Sequence, residues 1–228
     1  MKGVKKHFEE EAPEFDNTIL KLVPYYPEMV EALVSAIPFN QKDPINIIDL
    51  GCGTGYISMN IKQRFPNSKL TCLDFAENMI AQAKIRLKKF NNIDFCINDF
   101  RKFEFDKRYH AAVSSLALHH LETKNSKKKF YRKIFDSLED GGVFYNADII
   151  LGSNDALHKL YVLKWKEFMS RTLPSEEIEN TWMTKHHRED HPEILLDQLD
   201  WLEGIGFKEV DVVWKYYNFA VYGGTKPK

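Results

Sequence analysis

Ile45-Asn46-Ile47-Ile48-Asp49-Leu50-Gly51-Cys52-Gly53-Thr54-Gly55 is the stretch on which the fold turns. A short apolar run ends in glycines at three alternate positions. Tyr56 to Phe65 then continues with helical spacing until Pro66-Asn67 stops it. Strand, glycine turn and helix in that order suit a binding site; the alternative is a glycine turn with no ligand. Glycine accepts positive φ and lets a ligand approach the backbone, and the free N–H groups of the helix start point at whatever lies there. A dinucleotide loop reads G-x-G-x-x-G, and Tyr56 holds the place of its last glycine. That residue disfavours a nicotinamide oxidoreductase.

Outward from the loop the pattern repeats. Lys69 to Asp74 reads as a second strand, Glu77 to Phe90 as an amphipathic helix, Ile93 to Asn98 as a third strand and Tyr109 to Leu118 as a fourth. Ser126 to Leu138 is expected to be a helix closed by Glu139-Asp140-Gly141-Gly142, whose glycines suit a left-handed stop before a fifth strand, Val143 to Leu151. Such alternation predicts an α/β chain with a doubly wound parallel sheet. On the N-terminal side, residues 1–40 read as a helical cover broken by Pro13, Pro24, Pro27 and Pro38, with Glu28 to Ile37 amphipathic. On the other side, residues 153–191 read as a helical lid. Pro192 to Gly204 is expected to be a helix, and Phe207 to Tyr217 with Phe219 to Gly223 an antiparallel pair. The core therefore comprises residues 41–152 and 192–228.

A chain of 228 residues with 43% apolar and 29% charged side chains suits a well-charged globular domain with a sizeable core. A net charge of -1 provides no global field toward nucleic acid. The basic run Lys124 to Lys133 is expected to be the wet face of a helix with Phe130 and Ile134 turned inward. Three cysteines, none in a C-x-x-C pair, fit reduced thiols better than a disulfide framework or zinc site. The first residues lack the apolar region of a signal peptide, and no run approaches a membrane span. The expectation is a cytoplasmic protein with no membrane partner.

Asp49-Leu50-Gly51-Cys52-Gly53-Thr54-Gly55 resembles motif I of the class I S-adenosylmethionine-dependent methyltransferases. In company with acidic residues ending the second and third strands, it identifies the chain as a member of that family. The resemblance implies a Rossmann-like, seven-stranded, mostly parallel sheet in the order 3-2-1-4-5-7-6. It implies S-adenosyl-L-methionine as cofactor and S-adenosyl-L-homocysteine as product. Asp49, Gly51, Cys52, Gly53 and Gly55 would form the loop around the amino-acid part. Asp74 would accept from the ribose hydroxyls, with Phe75 and Met79 beside it. Asp99 would bind the adenine amino group, and Phe100 would offer its backbone N–H and pack nearby. Ser115 and Tyr25, or its neighbour Tyr26, would complete the cofactor set.

The fourth strand runs into His119-His120. In this fold the acceptor meets the sulfonium at the ends of the first and fourth strands. One of the two histidines is a candidate general base; the alternative is a helix cap or packing beneath the cofactor. Asp148 is a candidate to orient the acceptor, or a plain structural hydrogen-bond partner. Trp165, Phe168 and Trp182 either roof the acceptor site or pack the insertion. His186, His187 and His191 are expected to be a solvated helix end, and no metal is expected. Cys52 reads as a small filler.

The stretches Phe15 to Tyr26 and Trp201 to Ala220 are similar to a branch holding small-molecule methyltransferases and the carboxy-S-adenosylmethionine synthases. Those synthases hold their product's carboxylate with an arginine shortly before a G-F pair, where this chain has Trp201 before Gly206-Phe207. The expected partner is a small-molecule acceptor, with the lid a candidate homodimer surface. The rivals are a tRNA-modification enzyme of the synthase type and a catalytically silent cofactor-binding module that acts through a partner.

Overall fold

The computed structural model describes residues 8–10, 12 and 14–228, so Pro13 and the first seven residues of the expected cover lie outside the described residues. Helices α1 (Phe15–Leu22) and α2 (Tyr26–Ser35) precede strand β1 (Asn46–Leu50). Then come α3 (Tyr56–Arg64), β2 (Lys69–Asp74), α4 (Glu77–Leu87), β3 (Ile93–Ile97) and β4 (Tyr109–Ser115). Helix α5 (Lys124–Ser137) and β5 (Leu138–Leu151) complete the alternation. The insertion holds α6 (Asp155–Met169), α7 (Ser175–Glu177), a π-helical turn Ile178–Met183 and α8 (Thr184–Glu189). Strand β6 (Glu193–Ile194), α9 (Leu195–Ile205), β7 (Lys208–Tyr216) and β8 (Phe219–Thr225) close the chain.

The main sheet runs β3-β2-β1-β4-β5-β8-β7, with β6 paired off this path to β5. Strands β1 to β5 are parallel, and β8 lies antiparallel to both β5 and β7. Setting aside the two-residue β6, this is the expected order.

Period-2 alternation splits the apolar residues between the faces. Ile45 and Ile47 enter one core with Met29, Leu33, Ile57, Ile61, Ile80 and Leu87, and the insertion adds Trp165 and Met169. Ile48 and Leu50 enter the other with Phe130, Tyr131, Ile134, Leu202 and Phe207. Burial on both faces is why β1 reads as a continuous apolar run.

Four expectations need correction. Helix α5 ends at Ser137 without a left-handed glycine stop, because Leu138 is already extended and begins β5. Gly141 does have positive φ (79°), but inside that long strand, near the register shift opposite Tyr109 and Ala111. Strand β4 ends at Ser115, not Leu118, and the next residues turn into a 3-10 segment, Leu118–His120. Glu193 and Ile194 form β6 before α9 begins at Leu195. Within the basic run, Lys127 is buried and donates to the carbonyls of His119 (3.5 Å) and Leu121. Phe130 and Ile134 point inward as expected.

Candidate active site

The carboxyl ends of β1, β2 and β4 open on a cavity of about 690 Å³, its mouth included. Gly51, Cys52, Gly53, Asp74, Phe75, Met79, Phe100 and Ser115 line it, together with Tyr26 and His120. A methyl group on Gly51, at φ 77°, would stand 2.5 Å from Ala117 Cβ. Gly53, at φ 51°, has nothing within 4 Å of the place a Cβ would take, so a side chain there would enter open space.

Four of the loop's own N–H groups are already engaged. Those of Gly51 and Cys52 donate to Leu73 O at 2.8 and 3.0 Å, and that of Gly55 to Cys52 O at 2.9 Å. The Gly53 N–H donates to Asp74 Oδ2 at 2.9 Å, and Asp74 Oδ1 accepts from the Ala76 N–H at 2.9 Å. The first amides of the turn therefore do not aim at a ligand. Among the described residues no lysine or arginine lines the cavity. Such a cleft is poor in charge for a pyrophosphate. Its chemistry fits a cationic ligand: Asp74 lies on the wall and Asp49 behind it. Burial raises the Asp74 carboxyl above its ordinary range. Ser115 Oγ, on the wall, is buried without a hydrogen-bond partner, so a polar ligand atom has a group to meet.

Several expected residues stand elsewhere. Asp49 is fully buried beneath the loop and accepts from Ser58 Oγ at 2.6 Å. Burial pushes its carboxyl up to about 7, against the opposing pull of the Ser58 hydrogen bond. Gly55 is the N-cap of α3 and lies off the cavity wall. Asp99 turns to Arg101, whose Nη2 donates to Oδ2 at 2.5 Å. Burial pushes this carboxyl up, but the guanidinium holds it below the usual carboxylate range. Tyr25 is left-handed (φ 54°) and exposed, its ring edge-on to Tyr216 at 4.8 Å. Tyr26 is the tyrosine that reaches the cavity, because one helical step turns the side chain to the buried face.

Sequence reasoning missed how the N-terminal segment is fastened. Asp16 on α1 accepts from Thr54 Oγ1 at 2.7 Å and pairs with Arg86 on α4, which also donates to Thr54 O at 2.9 Å. Glu9 accepts from the N–H groups of Glu77 (2.7 Å) and Asn78 (2.8 Å), capping the start of α4. Phe8 and Phe15 thereby wall the cavity.

A second cavity of about 760 Å³, mouth included, adjoins the first. The two share Phe8, Phe15, Leu116 and His120. Trp165 and Trp182 line the second; Phe168 does not, and packs against the core. Trp165 Nε1 donates to Leu22 O at 2.6 Å, which ties the insertion to α1.

His119 lines only the second cavity, and Asp148 stands behind it. His119 Nδ1 donates to Asp148 Oδ1 at 2.5 Å, and Asp148 also accepts from the N–H groups of His119 (3.1 Å) and Ile149 (2.9 Å). A buried network running Asn146, Tyr222, Gln198 and Tyr131 braces that carboxylate from below. On its other side His119 Nε2 faces Asp190 Oδ1 at 3.4 Å. Burial alone would lower its pKa, but the two carboxylates raise it to about 10. His120 is pushed down to about 4 by burial and by the His119 charge. Its Nε2 is buried with no hydrogen-bond partner. His186 is no solvated end: it is half-buried, its Nδ1 is 2.8 Å from Asp190 Oδ2, and it lines the second cavity. His187 is exposed as expected. Asp190 carries no motif that would have singled it out; the fold-back of the insertion brings it to the histidine pair.

A family model described as a methyltransferase domain matches residues 47–142. The carboxy-S-adenosyl-L-methionine synthase of Helicobacter pylori (strain HPAG1) is 30% identical over 226 residues, covering 93% of this chain and 90% of that protein. The enzyme of the same name from Nautilia profundicola is 26% identical over 230 residues, covering 97% and 95%. The solved complex of DhpI with SAH shares the fold at a TM-score of 0.66 and 17% identity, covering 98% of this chain and 94% of that one. No helix among the described residues is long and apolar enough to cross a membrane. With its glycine loop, acidic strand ends and strand order, the chain belongs to the class I S-adenosylmethionine-dependent methyltransferases, enzymes whose cofactor is S-adenosyl-L-methionine.

Proposed function

We propose that this enzyme methylates a small organic acceptor seated in the second cavity, with the cofactor in the first and residues 153–191 as a lid. The observation that carries this is the junction of the two cavities at Leu116 and His120, beneath an aromatic roof of Trp165 and Trp182. A pocket of that size, closed by α1 and the insertion, suits a small molecule better than a polymer.

When bound, S-adenosylmethionine supplies a methyl group on a positively charged sulfur. Asp74 is assigned the ribose hydroxyls, since its carboxylate keeps accepting capacity beyond the two backbone N–H groups it already meets. Gly53 leaves open space beside the backbone, Gly51 and Cys52 line the cavity with it, Phe75, Met79 and Phe100 give the apolar wall, and Ser115 a free hydroxyl. Asp49 and Asp99 act one layer out, Asp49 bonded to Ser58 on α3 and Asp99 to Arg101. The apolar walls exclude water, and holding the two reactants in line supplies most of the acceleration. His119 is not a free base, because both of its ring nitrogens face carboxylates. Asp148 and His119 form a frame, and His120 presents its unpartnered Nε2 edge at the junction.

The relatives' name favours a second reading, carboxy-S-adenosylmethionine synthesis. Against it, Trp201 stands where the synthases are expected to carry an arginine. Trp201 packs beneath Lys128 at 5.0 Å, and among the described residues no arginine lines either cavity.

The test is a mass-spectrometric screen of small thiols, phenols and amines with S-adenosylmethionine, run beside bulk tRNA. Methylation of a small molecule, with kcat/KM lowered in His120→Ala, is the expected result. Methyl transfer to tRNA alone, or, when a carboxylic acid is added as carboxyl donor, formation of a carboxylated cofactor without methyl transfer, would overturn it.

A further inference from the structure

We infer that His119, His120 and Asp190 form a binding site for one divalent transition-metal ion, open toward the second cavity. Each offers one ligand atom, and the three atoms lie within 4.8 Å of one another. His119 Nε2 is 3.4 Å and His120 Nδ1 3.5 Å from the same oxygen, Asp190 Oδ1; His120 Nδ1 also lies 3.1 Å from the Glu189 carbonyl, a contact it would exchange for the ion. Ligands about 2.0–2.1 Å from a tetrahedral zinc ion stand about 3.4 Å from each other. Two of the three spacings therefore already match the edges of that figure. Two imidazoles and one carboxylate with a fourth position left open is the donor set of catalytic zinc.

The outer partners of a metal site are also in place. His119 presents its other nitrogen, Nδ1, to the buried Asp148, the carboxylate–histidine arrangement that fixes a ligand's tautomer. Asp190 presents its other oxygen, Oδ2, to His186 Nδ1 at 2.8 Å, which leaves Oδ1 for the site. The His191 N–H donates to His119 O at 2.9 Å and pins the segment carrying Asp190 against the histidine pair.

Asp148 and Asp190 bring two acidic side chains to the histidine pair within one small, largely buried cluster. Lys127, buried nearby, donates to backbone carbonyls rather than to either carboxylate. All three ligands line the second cavity, so the open position faces the ligand held there. An ion at that point suits an acceptor bearing a thiol or hydroxyl that releases its proton to solvent on binding. This last consequence rests on the proposed methyl-transfer reading; the metal site itself does not.

The experiment uses the full chain, stripped with a chelator and then titrated with Zn²⁺ by calorimetry, with Co²⁺ absorption as a second readout. The expected result is one Zn²⁺ per chain and visible bands of low-symmetry Co²⁺. Asp190→Asn should weaken Zn²⁺ by more than the roughly 10–100-fold that loss of an outer partner costs. Asp148→Asn should fall within that range, and His187→Ala should bind like wild type. Circular dichroism and thermal unfolding establish that each variant is folded. Absence of saturable Zn²⁺ binding by the wild-type protein overturns the site, as does binding that Asp190→Asn and His120→Gln leave unchanged. Neither result touches cofactor binding, so failure of the metal site and failure of the methyl-transfer reading are separable.

Discussion

Asp49→Asn should change how the stability of the protein depends on pH. The wild-type carboxyl lies fully buried under the glycine loop, and its pKa rises from 3.8 to about 7. Burial is the main cause, the Ser58 hydrogen bond opposes it, and the Asp74 charge adds to it. A raised acid pKa means that the folded chain binds this proton more tightly than the unfolded chain does. Its stabilising contribution is therefore present in acid and is lost as pH climbs from about 4 through 7. Linkage over that shift gives a loss of about 2–3 kcal/mol between pH 5 and pH 8. Asparagine keeps the shape and an oxygen for Ser58 but cannot titrate. Urea unfolding at the two pH values, followed by tryptophan fluorescence, gives each stability. The wild type should lose about 2–3 kcal/mol relative to the variant over this range. Stability differences that stay constant from pH 5 to pH 8 would refute the assignment of the buried proton to Asp49.

Two further substitutions separate fold from site. Gly51→Ala places a methyl 2.5 Å from Ala117 Cβ at φ 77°, and should cost about 2–4 kcal/mol in thermal or urea unfolding. Gly53→Ala meets no atom within 4 Å. It should cost only the backbone term of about 1–2 kcal/mol while sharply weakening S-adenosylhomocysteine, because its methyl enters the cavity. Equal stability losses in the two variants would count against this division. Asp148→Asn puts an amide where one carboxylate accepts from His119, Ile149 and Asn146. Urea unfolding should show a loss of about 3–5 kcal/mol, and a loss under about 1 kcal/mol would deny that carboxylate its bracing role.

What could be read from the sequence follows from what is local. The glycine loop and the alternation around it are short-range patterns, and each strand from β1 to β5 appears within a few residues of its expected place. The places of Asp74, Phe75, Met79 and Phe100 on the cavity wall could be read because each stands at or within a few residues of a strand end or the helix start after it. Tyr25 and Tyr26 differ by one helical step, too fine a distinction for a proline-rich entry to settle. The Asp16–Thr54–Arg86 clasp joins three distant segments by charge, and no local spacing announces such a meeting. Asp190 and His186 sit in Lys185-His186-His187-Arg188-Glu189-Asp190-His191, which reads as a wet helix end. Only the fold-back of the insertion turns two of those residues toward His119.

The most direct measurement is calorimetric titration of the wild type and Asp74→Ala with S-adenosylmethionine, S-adenosylhomocysteine and NAD. Wild type should bind both sulfur nucleosides and not NAD. The variant should bind them at least about tenfold more weakly, the loss expected on removing a charged hydrogen-bond acceptor. Full-strength binding by Asp74→Ala, or preferential binding of NAD, would contradict the placement of the cofactor in the first cavity.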